Sequence, residues 1–168
     1  WHKMAVEERG LKNIPTTADA LPAFKDKEII KLFEETGVLS PVELESRFGV
    51  FAEQYVMAIM VEAKLVISMA KTIIYPVATR YLTDLTIGNA DLSAAGIQLD
   101  KGPTEKIAAA INGMTSAVSK LEEAIEKDDF ASEEEHMQFC ANDLLSLMNE
   151  VRAHADTLET EVADDMWP

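Results

Sequence analysis

One long apolar helix constrains this chain more than any other feature in it. Gly37 follows a short charged and apolar segment over residues 26–36 and fits the left-handed position just past a helix end. Ser40, Pro41 and Glu43 then bring three start signals together. Serine is a strong N-cap, proline at the first helical position gives up no hydrogen bond, and the glutamate closes a capping box. Before Pro76 only Gly49 interrupts the run. The spacing therefore predicts a helix of roughly 50 Å up to that proline, at ~1.5 Å per residue. Leu44, Phe48, Phe51, Tyr55 and Ala58 step by four and three, a one-sided apolar seam. Past Tyr55 the seam spreads, and up to Ala78 the charged residues are Glu62, Lys64 and Lys71. Lys64, Ser68 and Lys71 share a narrow stripe. Glu62 lies about 200° round from Lys64 at ~100° per residue, among apolar neighbours.

A helix apolar on nearly all sides needs partners on all sides. The candidate packing surface comprises Tyr55, Ile59, Val66, Met69, Ile73 and Val77. Glu62 is a candidate buried charge, because an unpaired carboxylate among apolar side chains is costly. Lys120 and Arg152, on neighbouring helices, are its candidate partners. Pro76 removes the hydrogen bond to the Thr72 carbonyl, so a kink is expected there, either as bending around a core or as a hinge.

Two further long helices follow. Pro103 and Thr104 open one, with Ile107, Ile111, Met114, Val118, Leu121 and Ile125 in regular heptad steps. Ser132 and Glu135 form a capping box for the other. Its seam runs Met137, Cys140, Leu144, Leu147, Val151, Leu158 and Val162, with Ala155 in step. Residues 88–102 read as a frayed end and a turn. The expected class is all-α, an antiparallel bundle of three long helices with a short helix and an irregular N-terminal arm. The expected division is an extended arm over 1–25, linking to a domain upstream, and a bundle over 26–168. Within the bundle the helices are placed at 26–36, 40–98 (kinked near Pro76), 103–128 and 132–165.

Charge excludes several function classes. The chain carries a formal net charge of −15, and residues 121–168 hold 15 acids against 2 bases. Phosphate-backbone binding needs clustered Lys and Arg, so no nucleic-acid partner is expected, nor docking on anionic lipid. The three charges between Tyr55 and Ala78 leave no uncharged run near the ~20 residues of a membrane span. With one cysteine, Cys140, no internal disulfide can form, and a cytoplasmic location is expected. The opening on Trp1, without an initiator methionine or signal segment, reads as a fragment or a processed chain.

Little here points to chemistry. Glu133 and His136 match half of the carboxylate-bridged di-metal signature, which needs a second such pair and two further glutamates. Glu150 and His154 are four apart and read as a surface pair. No glycine-rich phosphate loop, nucleophile motif or zinc spacing appears. No catalytic, cofactor-binding or metal residue is assigned.

An ordered set of short matches nevertheless resembles one family. It comprises Glu8-Arg9-Gly10-Leu11, Asn13, Thr17 and Asp19-Ala20-Leu21-Pro22. Leu32-Phe33-Glu34, Gly37-Val38-Leu39, Glu45-Ser46-Arg47, Glu62-Ala63, Met69-Ala70-Lys71, Pro76-Val77 and Tyr81 continue it. Leu121-Glu122, Ala124, Glu150, Arg152, Ala155-Asp156, Leu158-Glu159 and Trp167-Pro168 complete it. Together they resemble the C-terminal region of type III glutamine synthetases. Residues 84–114 match least well, Phe139–Ser146 diverges, and family members extend past Trp-Pro into a short aromatic tail.

The resemblance implies a parent enzyme that joins ammonia to glutamate through a γ-glutamyl phosphate, using ATP and Mg or Mn. It implies a catalytic barrel upstream, and neighbouring subunits of a large homo-oligomer as partners. It assigns no barrel motif to this chain, which is expected to hold no cofactor, to serve assembly and to be inactive alone. A stand-alone helical interaction or sensor module is the alternative, and a carboxylate-metal bundle enzyme a third.

Overall fold

The computed structural model describes residues 1–168 and contains helices and turns but no strand. Its α-helices are α1 (Thr17–Ala20), α2 (Lys27–Glu35), α3 (Pro41–Met69), α4 (Tyr75–Ala94), α5 (Gly102–Ile125), α6 (Glu133–Phe139) and α7 (Leu145–Glu161). Wider π turns, Ala70–Ile74 and Cys140–Leu144, connect α3 to α4 and α6 to α7. The chain divides into two compact units, Trp1–Ala58 with Asp129–Asn142, and Ile59–Asp128 with Asp143–Pro168.

In the first unit the expected arm is partly folded. Thr16 accepts the Asp19 amide at 3.1 Å and so starts α1. A 3₁₀ turn, Leu21–Lys25, follows directly. Ala18 and Leu21, three apart on one face, are buried with Phe48 and Ala52 of α3 and Met137 of α6. That apolar pair holds residues 17–25 to the helices. The Gln138 side chain donates to the Ala18 carbonyl at 3.2 Å, and the Lys25 ammonium lies 3.8 Å from the Phe48 ring centre. Asp26 caps α2 through the Glu28 amide at 2.8 Å. At its far end Gly37, at φ 67°, closes a Schellman turn, with Val38 N–H on the Phe33 carbonyl and Gly37 N–H on that of Glu34. The predicted box begins α3: Ser40 N–H donates to Glu43 at 2.8 Å, and Glu43 N–H to Ser40 Oγ at 3.4 Å.

The second unit is built on α5, which packs chiefly on α7 and also on α4 and the Ala70–Ile74 turn. Ile107, Ile111, Met114, Val118 and Leu121 are all buried, as their heptad spacing predicts. Lys106 pairs with Glu161 and Lys120 with Glu150, so residues rise along α5 as they fall along α7. The same reversal relates the pairs Lys71–Glu122 and Asn89–Thr104. Gly113 permits a close approach here, since a methyl at this position would lie 2.3 Å from His154 Cε1. Gly96, at φ 84°, ends α4 in a second Schellman turn, with Ile97 N–H on the Leu92 carbonyl.

Just before Pro76, where a kink was expected, the helix passes through the π turn Ala70–Ile74. The Tyr75 amide reaches the Ala70 carbonyl, five residues back. Pro76 is the second residue after that turn, near the start of α4.

Candidate docking face

Chemistry requires groups brought together, and few are. No three His, Cys, Asp or Glu side chains converge on a point that could hold a metal ion. His136 stacks on Phe130 at 4.2 Å between ring centres and 11° between planes, and burial lowers its pKa. Cys140 is fully buried, and desolvation pushes its thiol up to about 11, which leaves it a poor nucleophile. The expected Glu150–His154 pair does not form. Glu150 reaches across to Lys120 at 2.8 Å, while His154 lies over Gly113. A groove of about 320 Å³ between the Ala70–Ile74 turn and α5 has Ala70, Tyr75 and Val118 on its walls and the Lys71–Glu122 pair at its edge.

The helix running through Ile59–Ile74 is apolar on two sides. Its inner side contributes Ile59, Ala63, Ile67 and Ala70 to the buried set. On the outer side a second ridge rises in steps of four: Val61 is 61% exposed, Leu65 56%, Met69 44% and Ile73 39%. Steps of four align side chains along one ridge, the feature that packs into the grooves of a facing helix.

Against this geometry the expected packing surface divides. Ile59 and Val77 are buried within the chain, Tyr55 and Val66 are half-buried, and only Met69 and Ile73 remain open. Val61 and Leu65, not among the candidates, complete the exposed ridge. Their i, i+4 spacing with Met69 was a signal available in the sequence. Tyr55 and Val56 pack at the margin of the first unit's core.

Glu62 stands apart from these residues. It is exposed rather than buried, and no charged side chain is buried anywhere in the chain. Neither expected partner is at hand, because Lys120 is held by Glu150 and Arg152 faces Asp156 at 3.5 Å on its own helix. The reason is rotation. Inner positions 59, 63, 67 and 70 claim the core, and this turns Glu62 toward the ridge. Alanine carries the difference: Ala52, Ala63 and Ala70 are among the most buried residues, yet as small side chains they weigh little in a hydrophobic pattern.

Residues 1–92 match the family described as the glutamine synthetase C-terminal domain. The chain belongs to that family. This C-terminal domain is also similar over its whole length to the type-3 glutamine synthetase of Dictyostelium discoideum, at 32% identity and 24% of that protein's length. It is 25% identical to a glutamine synthetase of Bacteroides fragilis (strain YCH46), across 99% of the chain and 24% of the relative. A glutamine synthetase of Butyrivibrio fibrisolvens is likewise 25% identical, over 98% of the chain and 24% of its own length. The domain thus spans about a quarter of the curated relatives it matches. None of its helices is long and apolar enough to cross a membrane.

Proposed function

We propose that this chain is the C-terminal helical domain of a type III glutamine synthetase and serves the architecture of that enzyme. The parent would make glutamine from glutamate, ammonia and ATP, through a γ-glutamyl phosphate and with Mg or Mn. Its catalytic domain would lie upstream, and its active sites would form between subunits of a large homo-oligomer in the cytoplasm. This domain would contribute no catalytic group.

The observation that carries the reading is the apolar ridge Val61, Leu65, Met69 and Ile73 left open on a chain of this family. Exposed apolar surface in a row is the signature of an interaction site rather than of chance. The parent enzyme with and without residues 1–168 tests it, together with the chain alone. The chain should form no glutamine, and the truncated enzyme should sediment as smaller species with activity at least tenfold lower. Turnover by the chain alone, or a truncated enzyme unchanged in size and rate, would overturn the proposal.

A further inference from the structure

Two exposed charges flank the ridge on the outer side of Ile59–Ile74, Lys64 beside Val61 and Glu62 beside Leu65, and the position of Glu62 says what must cover it. At helical spacing Glu62 has Ile59, Leu65 and Val66 as same-side neighbours. Leu65 belongs to the open ridge, Val66 is half-buried and Ile59 is buried. Glu62 forms no ion pair. Any surface that covers Leu65 and Met69 must therefore take the Glu62 carboxylate out of water as well. A carboxylate moved into an apolar contact without a cation is strongly disfavoured, and one that meets a basic side chain is not.

We infer that the ridge Val61–Leu65–Met69–Ile73 docks onto an apolar surface elsewhere in the parent polypeptide, and that this surface bears one Lys or Arg placed to meet Glu62. The inference deepens the architectural reading and rests on it. A second copy of this domain fits poorly. It would bring another −15 of net charge, and with Lys71 already held by Glu122 at 2.7 Å it could offer only Lys64 from this segment. Four partly exposed side chains also fall well short of the ~800 Å² per partner that free association requires. An occupant held close by the same polypeptide or assembly needs far less area, because its effective concentration is high. Relatives about four times the length of this chain leave room for one.

The test places a photo-activated cross-linking residue at Leu65 of the full-length enzyme, with controls at Ser119 on α5 and Glu159 on α7, followed by peptide mapping. Leu65 should cross-link to a segment outside residues 1–168 that contains a Lys or Arg, and the controls should not. Glu62→Arg should lower the Leu65 cross-link yield at least fivefold, whereas Glu62→Gln should lower it less. Cross-linking from the controls but not from Leu65 would overturn the face while leaving the architectural role standing. A cross-link from Leu65 to another copy of residues 1–168 would overturn the occupant. No cross-link from any site, with the domain free in the full-length enzyme, would overturn both. An unchanged yield in Glu62→Arg would remove the cation from the inference.

Discussion

Gly113 of α5 faces His154 of α7 with no room for a side chain between them, and neither residue announces the other in the sequence. Alanine in place of glycine inside a helix ordinarily adds ~1 kcal/mol of stability. Here the added methyl would fall 2.3 Å from the imidazole, an overpacking that costs about 1–3 kcal/mol. Gly113→Ala should therefore destabilise the chain by about 1 kcal/mol. In a His154→Ala background the same change should stabilise it by up to ~1 kcal/mol. Urea unfolding of the four proteins gives the coupling, and additive effects would show that the ring moves aside freely. At this scale the sequence is nearly silent. Spacing within a helix offers Glu150 as the neighbour of His154, but contacts between helices depend on register. The same limit explains Glu62, whose exposure was fixed by which way the whole helix turns.

Elements were far more legible, because their ends are decided by local chemistry. The Ser40–Glu43 box, the Gly37 turn and the Ser132 cap, which accepts the Glu135 amide at 3.2 Å, all stand where their residue types place them. The box also has a pH signature. Hydrogen bonds from the Ser40 amide and hydroxyl hold the Glu43 carboxyl below the ordinary glutamate range. Because the folded pKa is depressed, this support is fully present above the unfolded carboxylate's pKa and is lost as pH falls through the lower folded value. The Ser40 amide resonance, followed by NMR through an acid titration, should report a midpoint below that of an exposed glutamate. Ser40→Ala should raise the midpoint, and coincidence with ordinary glutamates in the wild type would contradict the box. The heptad seams of α5 and α7 were equally plain, as large side chains at steps of three and four settle one face. The core side of α3 and of the turn after it was harder, since its seam passes through Ala52, Ala63 and Ala70. The π turns had no signature beyond Pro76.

For the molecule as a whole, composition indicated an all-helical chain, but the division into two units depends on contacts distant in sequence. Residues 129–142 join residues 1–58 across a gap of 70 positions, and nothing periodic marks that return. Net charge acts at this scale too. Fifteen acids against two bases over residues 121–168 repel one another in the folded chain. Raising salt from about 10 mM to about 150 mM shortens the screening length from ~30 Å to ~8 Å. The melting temperature should therefore rise by a few degrees, as read by circular dichroism. A fall would mean that ion pairs such as Lys120–Glu150 outweigh the repulsion.

The turns at Ala70–Ile74 and Cys140–Leu144 carry a consequence for how such a chain can vary. Each holds one residue more than an α-helix of the same length would, so the backbone advances without breaking while the side chains beyond it are reset by about 100°. An inserted residue elsewhere in a long helix would swing every later core position out of place. At these two points the excess has been absorbed locally, and Ala70 and Cys140 stay buried at their mouths. They are natural joints for length variation, where descendants of a common ancestor can differ by a residue and still fold both flanking helices onto the same neighbours.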